Sequence, residues 1–177
     1  MRRYALLALA CTLAGCDRGV TLTNASMEEV ASALGGAARQ EPGMWETSTT
    51  LEAIDPGQGV APRAVAAIRE QIGRPKVERG CLSAEQASAP GFGQLRGGRC
   101  RFARFVLADG RLDARMRCQR PGATVSVTQQ GAYGSTAFDM RTSLRQDAPA
   151  GRGMSMTLHL VGRRVGACAW DKGGTGR

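Results

Sequence analysis

A chain of 177 residues, 42% of them hydrophobic and 22% charged, has enough apolar material for one domain with its own core. Its formal charge of +9 rests on 24 basic residues, all arginine except Lys76 and Lys172; that excess suits phosphate or carboxylate partners and fits a GC-rich coding sequence equally well. A single histidine, His159, leaves little from which to assemble a hydrolytic triad or a histidine metal cluster.

The chain opens on Arg2 and Arg3, an apolar run from Tyr4 to Thr12, and then Leu13-Ala14-Gly15-Cys16. A charged start, a short apolar centre and small residues before a cleavage point predict an export signal over residues 1–15, too short to persist as a bilayer-spanning helix. Leu13-Ala14-Gly15-Cys16 resembles the lipobox of bacterial lipoproteins. That resemblance implies a diacylglyceryl group on Cys16 and a further acyl chain, such as palmitate, on its new amine. Several chains at about 0.8 kcal/mol per buried CH₂ make attachment stable where one alone would be marginal. Asp17 resembles the signal that retains enteric lipoproteins in the inner membrane, which implies a periplasm-facing position there. An ordinary cleaved leader with Cys16 by chance is the competing reading. Loss of Arg2 and Arg3 lowers the charge by two, to +7.

Residues 16–41 are predicted to be the lipidated cysteine and a tether. Ser26-Met27-Glu28-Glu29 fits a capping box, and Met27, Val30, Ala31 and Leu34 follow at helical spacing up to Gly35-Gly36. The segment is therefore either a short helix, lying on the domain or near the membrane, or a flexible spacer. A single domain is predicted over 42–170. It starts at Pro42-Gly43-Met44-Trp45-Glu46, where Trp45, Thr47, Thr49 and Leu51 alternate with Glu46, Ser48, Thr50 and Glu52 as a first strand ending before Pro56-Gly57. Trp45 reads as a core residue. Pro62 to Ile72, with Val65, Ile68 and Ile72 on one face and Gly73 as a stop, predicts an amphipathic helix on the sheet. Ser83 and Gln86 can cap one further turn.

Residues 100–118, CRFARFVLADGRLDARMRC, predict the hairpin around which the rest is built. Leu112, Ala114, Met116 and Cys118 alternate with Arg111, Asp113, Arg115 and Arg117, the pattern of a half-buried strand. Asp109-Gly110 suits a type I′ turn, which needs positive φ at both central residues. That turn pairs Leu107 with Leu112 and Phe105 with Ala114. The first arm breaks parity, and one extra residue at Ala103-Arg104, a bulge, restores it. Phe102 then faces Met116, and Cys100 faces Cys118. A three-residue loop without the bulge also pairs the cysteines but leaves Phe105 and Leu107 in water. Cys11 leaves with the signal and Cys16 is the anchor, so Cys81 and Cys168 remain for a second disulfide in an oxidising compartment. No C-x₂-C knuckle supports a zinc site, and neither metal nor cofactor is expected.

Further strands are predicted over Thr124–Gln129, Thr136–Arg145 and Met154–Val161, with turns at Gly131–Ser135 and Ala148–Gly153. The expected fold is α+β: a mainly antiparallel meander of about six strands, one or two short covering helices, and two disulfides. Residues 171–177 are expected to be a disordered tail.

Pro42-Gly43-Met44-Trp45-Glu46, Cys81, Gly97-Gly98 before Cys100, Cys118, and the closing Gly162-Arg163-Arg164-Val165-Gly166-Ala167-Cys168 together resemble a bacterial envelope family, the domain of unknown function 3617. The resemblance spans roughly residues 42–168. It implies a small exported protein or lipoprotein and supplies no catalytic residues.

Searching the chain for chemistry returns little. There is no G-x-S-x-G elbow, Walker loop or dinucleotide fingerprint, and Gly91-Phe92-Gly93 reads as a loop. His159 is expected to point away from Leu158 and Leu160 into solvent as an ordinary strand residue. Glu46 and Glu52 share a strand face but lie about 20 Å apart at strand spacing, and are expected to be solvated charges rather than an acid–base pair. The most informative polar feature is an arginine set between Arg96 and Arg120. From it, Arg111, Arg115 and Arg117, joined across the hairpin by Arg101, are the candidate anion-binding face. The sequence therefore predicts a membrane-anchored, non-catalytic binding or accessory module. Its expected partners are anionic lipid, lipopolysaccharide or an acidic envelope protein, and not nucleic acid. A solubilising basic face and an enzyme with an unrecognised site are the alternatives.

Overall fold

The computed structural model describes residues 19–34, 40–57, 60–87, 99–147 and 153–168. The signal segment, Cys16, Asp17 and the tail from 171 lie outside them. Eight strands form one antiparallel sheet: β1 (Val20–Ala25), β2 (Gly43–Asp55), β3 (Lys76–Leu82), β4 (Arg99–Ala108), β5 (Arg111–Arg120), β6 (Ala123–Tyr133), β7 (Ala137–Asp147) and β8 (Met154–Gly166). Their order is β1-β4-β5-β6-β7-β8-β2-β3. β4 to β8 form the expected meander, β2 pairs along β8, and β1 and β3 are the two edges. Three helices accompany the sheet: α1 (Met27–Leu34), α2 (Pro62–Ile72) and the single turn α3 (Ala84–Ala87).

The fold is sheet-dominated rather than α+β, and it has eight strands instead of about six. Both added strands are edges, where the alternation that marks a half-buried strand is weak. β1 has only Val20 and Leu22 to signal it, and it lies inside the segment expected to be a tether. β3 runs Lys-Val-Glu-Arg-Gly-Cys-Leu and is exposed over its first five positions. The helix of that segment is α1, closed by reciprocal bonds: the Ser26 N–H donates to Glu29 Oε2 (2.6 Å) and the Glu29 N–H to Ser26 Oγ (3.1 Å). It carries Val30 to complete burial.

The central hairpin has the expected register, with Leu107 opposite Leu112, Phe105 opposite Ala114, Phe102 opposite Met116 and Cys100 opposite Cys118, and a register shift at Ala103. Asp109 and Gly110 have φ of 50° and 67°. Cys100–Cys118 and Cys81–Cys168 are both disulfides. Phe102 and Phe105 meet edge to face at 5.5 Å. They centre a cluster with Val30, Leu107, Leu112, Met116 and Val127, and burial of each large side chain contributes about 1.5–3 kcal/mol. The expected turn at Gly131–Ser135 is displaced. β6 continues to Tyr133 because Gly131, at φ 151°, lets the Asp139 carbonyl of β7 approach where a Cβ would stand, and the turn follows it.

The same sheet face is less well covered at its other side. Met154, Met156, Leu158 and Leu160 of β8 and Leu51 and Ile54 of β2 point the same way as the core residues yet are only half-buried. α2 occupies the residues expected from its spacing, with Gly73 N–H closing on the Arg69 carbonyl at 2.8 Å, but none of its side chains is fully buried.

Candidate functional site: the polar face of the sheet

Alternation places the remaining side chains of each strand on the face away from the core, and register sets them in rows. One row crosses β4 to β8 as Arg101, Arg117, Ser126, Arg145 and Ser155, and the next as Arg104, Arg115, Thr128, Ser143 and Thr157. A third runs Val106, Asp113, Gln130, Arg141, His159 and ends on Thr50 of β2.

On β2, β3, β7 and β8 the charges are matched. Arg79 donates through Nε and Nη2 to Glu46 Oε2 at 2.9 and 2.7 Å, and Arg163 donates likewise to Glu46 Oε1 at 3.0 and 2.7 Å. Glu46 therefore lies between two guanidinium groups with its side chain only 16% exposed. These bonds, Arg163 first and Arg79 second, hold its carboxyl below its ordinary value of 4.5. Glu52 accepts Arg141 on both oxygens, at 2.6 and 2.8 Å, which lowers the Glu52 carboxyl and raises the Arg141 guanidinium. Arg145 donates to Asp147 at 2.8 Å. The two glutamates are thus not solvated charges. The cross-strand neighbours of Glu46 on β3 and β8 are arginines, and Arg141 reaches Glu52 from β7 across β8, pairings that only the register of strands distant in sequence creates. His159 lies on the polar face as expected, 36% exposed, with Nε2 2.7 Å from Asp139 Oδ1.

β4 and β5 differ. Of the expected set, Arg101 stands opposite Arg117, and Arg111 and Arg115 share their face. Arg104 belongs there too, opposite Arg115; the signal for it was the same parity shift at Ala103 that turns Phe105 inward. Asp113 is the one carboxylate of this face on the two strands among the described residues, 3.6 Å from Arg104 and accepting Gln130 Nε2 at 3.4 Å. Arg101 is held by the Asn24 carbonyl at 2.6 Å. Arg111, Arg115 and Arg117 have no carboxylate within 4 Å among the described residues. An open row of guanidinium groups can take a phosphate or carboxylate from solvent.

Of the residues that suggested the family, Pro42 to Glu46, Cys81 and Gly162 to Cys168 meet at one end of the sheet, while Cys100–Cys118 lies at the opposite end and Gly97-Gly98 falls outside the described residues. Trp45 is buried, stacks on Phe138 at 5.9 Å and donates Nε1–H to the Glu41 carbonyl at 2.9 Å. The Phe138 ring occupies the space that a side chain at position 162 would need. Gly43, at φ 145°, allows the Gly166 carbonyl and the Arg164 guanidinium to close over it, and Arg164 Nε donates to the Pro42 carbonyl at 2.8 Å. Cys81–Cys168 ties β3 to the chain beyond β8. The polar groups named at this end are bonded to one another, which makes it a clasp between chain segments far apart in sequence. Among the described residues no three His, Cys, Asp or Glu side chains gather as a metal site, and no helix is long and apolar enough to cross a membrane.

No curated protein and no solved structure matches the chain. A family model described as a protein of unknown function, DUF3617, matches residues 40–168, which covers β2 to β8 and the whole clasp. The chain belongs to the DUF3617 family.

Proposed function

We propose that this protein is a lipid-anchored module of the bacterial envelope, facing the periplasm, which binds an anionic partner without catalysing a reaction on it. Leader and lipobox-like residues up to Cys16 support the anchor, and Asp17 supports the inner membrane. One observation carries the binding role: among the described residues Arg111, Arg115 and Arg117 lack counter-charges, on a sheet where Arg79 of β3, Arg141 and Arg145 of β7 and Arg163 of β8 are paired. Clustered like charge costs stability through self-repulsion, and an external anion bearing phosphate or carboxylate would relieve it.

The test is an unreduced native mass spectrum of the protein extracted gently from its own membranes. The expected mass has acyl chains on the Cys16 fragment, lies four hydrogens below the reduced chain, and carries a bound anion that the Arg111→Gln/Arg115→Gln/Arg117→Gln variant loses. A bare Cys16 fragment would end the anchor. Equal retention of the anion by that variant would end the arginine role.

A further inference from the structure

Building on the anchored reading, we infer that the face formed by β4 and β5 docks flat on anionic phospholipid headgroups of the very leaflet that holds the Cys16 acyl chains. The described chain begins at Gly19, and the three residue steps back to Cys16 span at most about 11 Å when fully extended. β1 is an edge strand whose partner is β4. Gly19 abuts Ala108, with space for no more than a hydrogen: an added Cβ would stand 2.7 Å from the Ala108 Cβ. The anchor therefore emerges beside the β4–β5 turn, where Ala108 faces Arg111. Without the strand at Val20–Ala25, a spacer of some two dozen residues would carry the domain far from the lipid.

Neighbouring strands lie about 4.8 Å apart, so β4 and β5 are within about 10 Å of the anchored edge. Their outward groups include Arg101 and the unmatched Arg111, Arg115 and Arg117, with Arg104 beside the one carboxylate Asp113. On β1 the outward neighbours are Thr21, opposite Val106, and Thr23, opposite Arg104, neither of them charged. The matched half, β7 to β3, is the side remote from the anchor. The unbalanced positive face is thus the one that the short tether holds against the membrane. Anionic lipid beneath it is present at high effective concentration, so weak attraction per arginine suffices.

An upright domain, standing on the end from which the anchor emerges, would also satisfy the tether, and the two postures differ at Gln119. It faces the same way as Arg117 but lies eight residues from Arg111, about 26 Å along the strand, so only the flat posture brings it to the lipid. The experiment reconstitutes the lipidated full-length protein in phosphatidylglycerol/phosphatidylcholine vesicles, with a benzophenone-bearing residue in place of Gln119 or, as control, of exposed Val77 on β3. Flat docking predicts photo-crosslinks to phospholipid from position 119 and few from position 77. Arg111→Gln/Arg115→Gln/Arg117→Gln should shift the docked equilibrium by about fivefold per arginine, roughly a hundredfold in all, and remove the crosslink while the protein still floats with the vesicles. Crosslinks from neither position, or a yield at 119 indifferent to the three substitutions or to omitting phosphatidylglycerol, would overturn the inference and leave the anchor standing. Crosslinks from 119 to a protein in native membranes, with none to lipid in vesicles, would also overturn it in favour of an acidic protein partner. Failure of the protein to float would instead remove the anchored reading itself.

Discussion

The polar face of this sheet is divided. On β2, β3, β7 and β8, Glu46, Glu52 and Asp147 each hold one or two arginines. On β4 and β5, Arg101, Arg104, Arg111, Arg115 and Arg117 stand with a single carboxylate, Asp113, which among the described residues pairs with Arg104 alone. Both halves are antiparallel, both are exposed, and both draw on the same arginine-rich composition, so composition does not explain the difference. What differs is the sequence distance of the partners. The matched half is assembled from both ends of the domain, Glu46 from its first third and Arg163 from its last, and the charges there hold distant segments in register. The unmatched half is a local hairpin, already fixed by its turn, its bulge and Cys100–Cys118, and needs no ion pairs to define it. Its charges remain available for a partner.

The strongest way to break this contrast is to remove what lies beneath the matched half. Trp45 is adjacent to Glu46 in sequence and on the opposite face, buried against Phe138. Trp45→Ala should cost about 3–5 kcal/mol in urea unfolding, the range for a large aromatic removed from a core. It should also loosen the Arg79–Glu46–Arg163 arrangement, seen as faster amide exchange in β2 and β3 than in β4 and β5. Uniform exchange across both halves would mean that the clasp does not set the register of β2.

Glu46→Gln tests the pairing directly and should cost less. The folded-state carboxyl is held below its ordinary value of 4.5, so between the two values the unfolded chain binds more protons than the folded one. The contribution is complete above about pH 4.5 and disappears as pH falls through the lower folded value, with Glu52 adding in the same direction. The variant should have a lower Tm at neutral pH and a shallower loss of Tm on acidification than the parent. An unchanged acid limb would show that the two guanidinium groups do not stabilise the charged form.

What the sequence showed followed the same local-to-distant division. The hairpin was legible to the residue, because Asp109-Gly110, strict alternation in β5 and a parity break at Ala103 all act within nineteen positions. α2 and the capped turns at Ser26 and Ser83 were legible for the same reason. β3 was not, since an edge strand exposed on both faces carries no hydrophobic period, and β1 was obscured by the expectation of a tether after Cys16. The candidate arginine face was half legible: Arg111, Arg115 and Arg117 follow from alternation alone. Their isolation could be known only once every carboxylate on distant strands had been placed and found engaged elsewhere.

The smallest predicted effect is in stability, and its sign separates the two halves. Arg101 faces Arg117 and Arg104 faces Arg115 across β4 and β5, and like charges directly opposite destabilise a sheet. Arg115→Gln and Arg117→Gln should therefore leave the folded state within about 0.5 kcal/mol of the parent, as for most exposed sites, with any change towards greater stability. Raising the salt from 0.1 to 1 M shortens the screening length from about 10 Å to about 3 Å. It should stabilise the parent through this half, and the double variant less. Arg163→Gln on the matched half must act in the opposite direction, because it leaves Glu46 with Arg79 alone. Chemical unfolding of the three proteins by urea, which adds no ionic strength, at both salt concentrations measures the difference. If Arg115→Gln destabilises as much as Arg163→Gln, the β4–β5 arginines are structural supports, and the division of the face into a matched scaffold and an open binding surface fails.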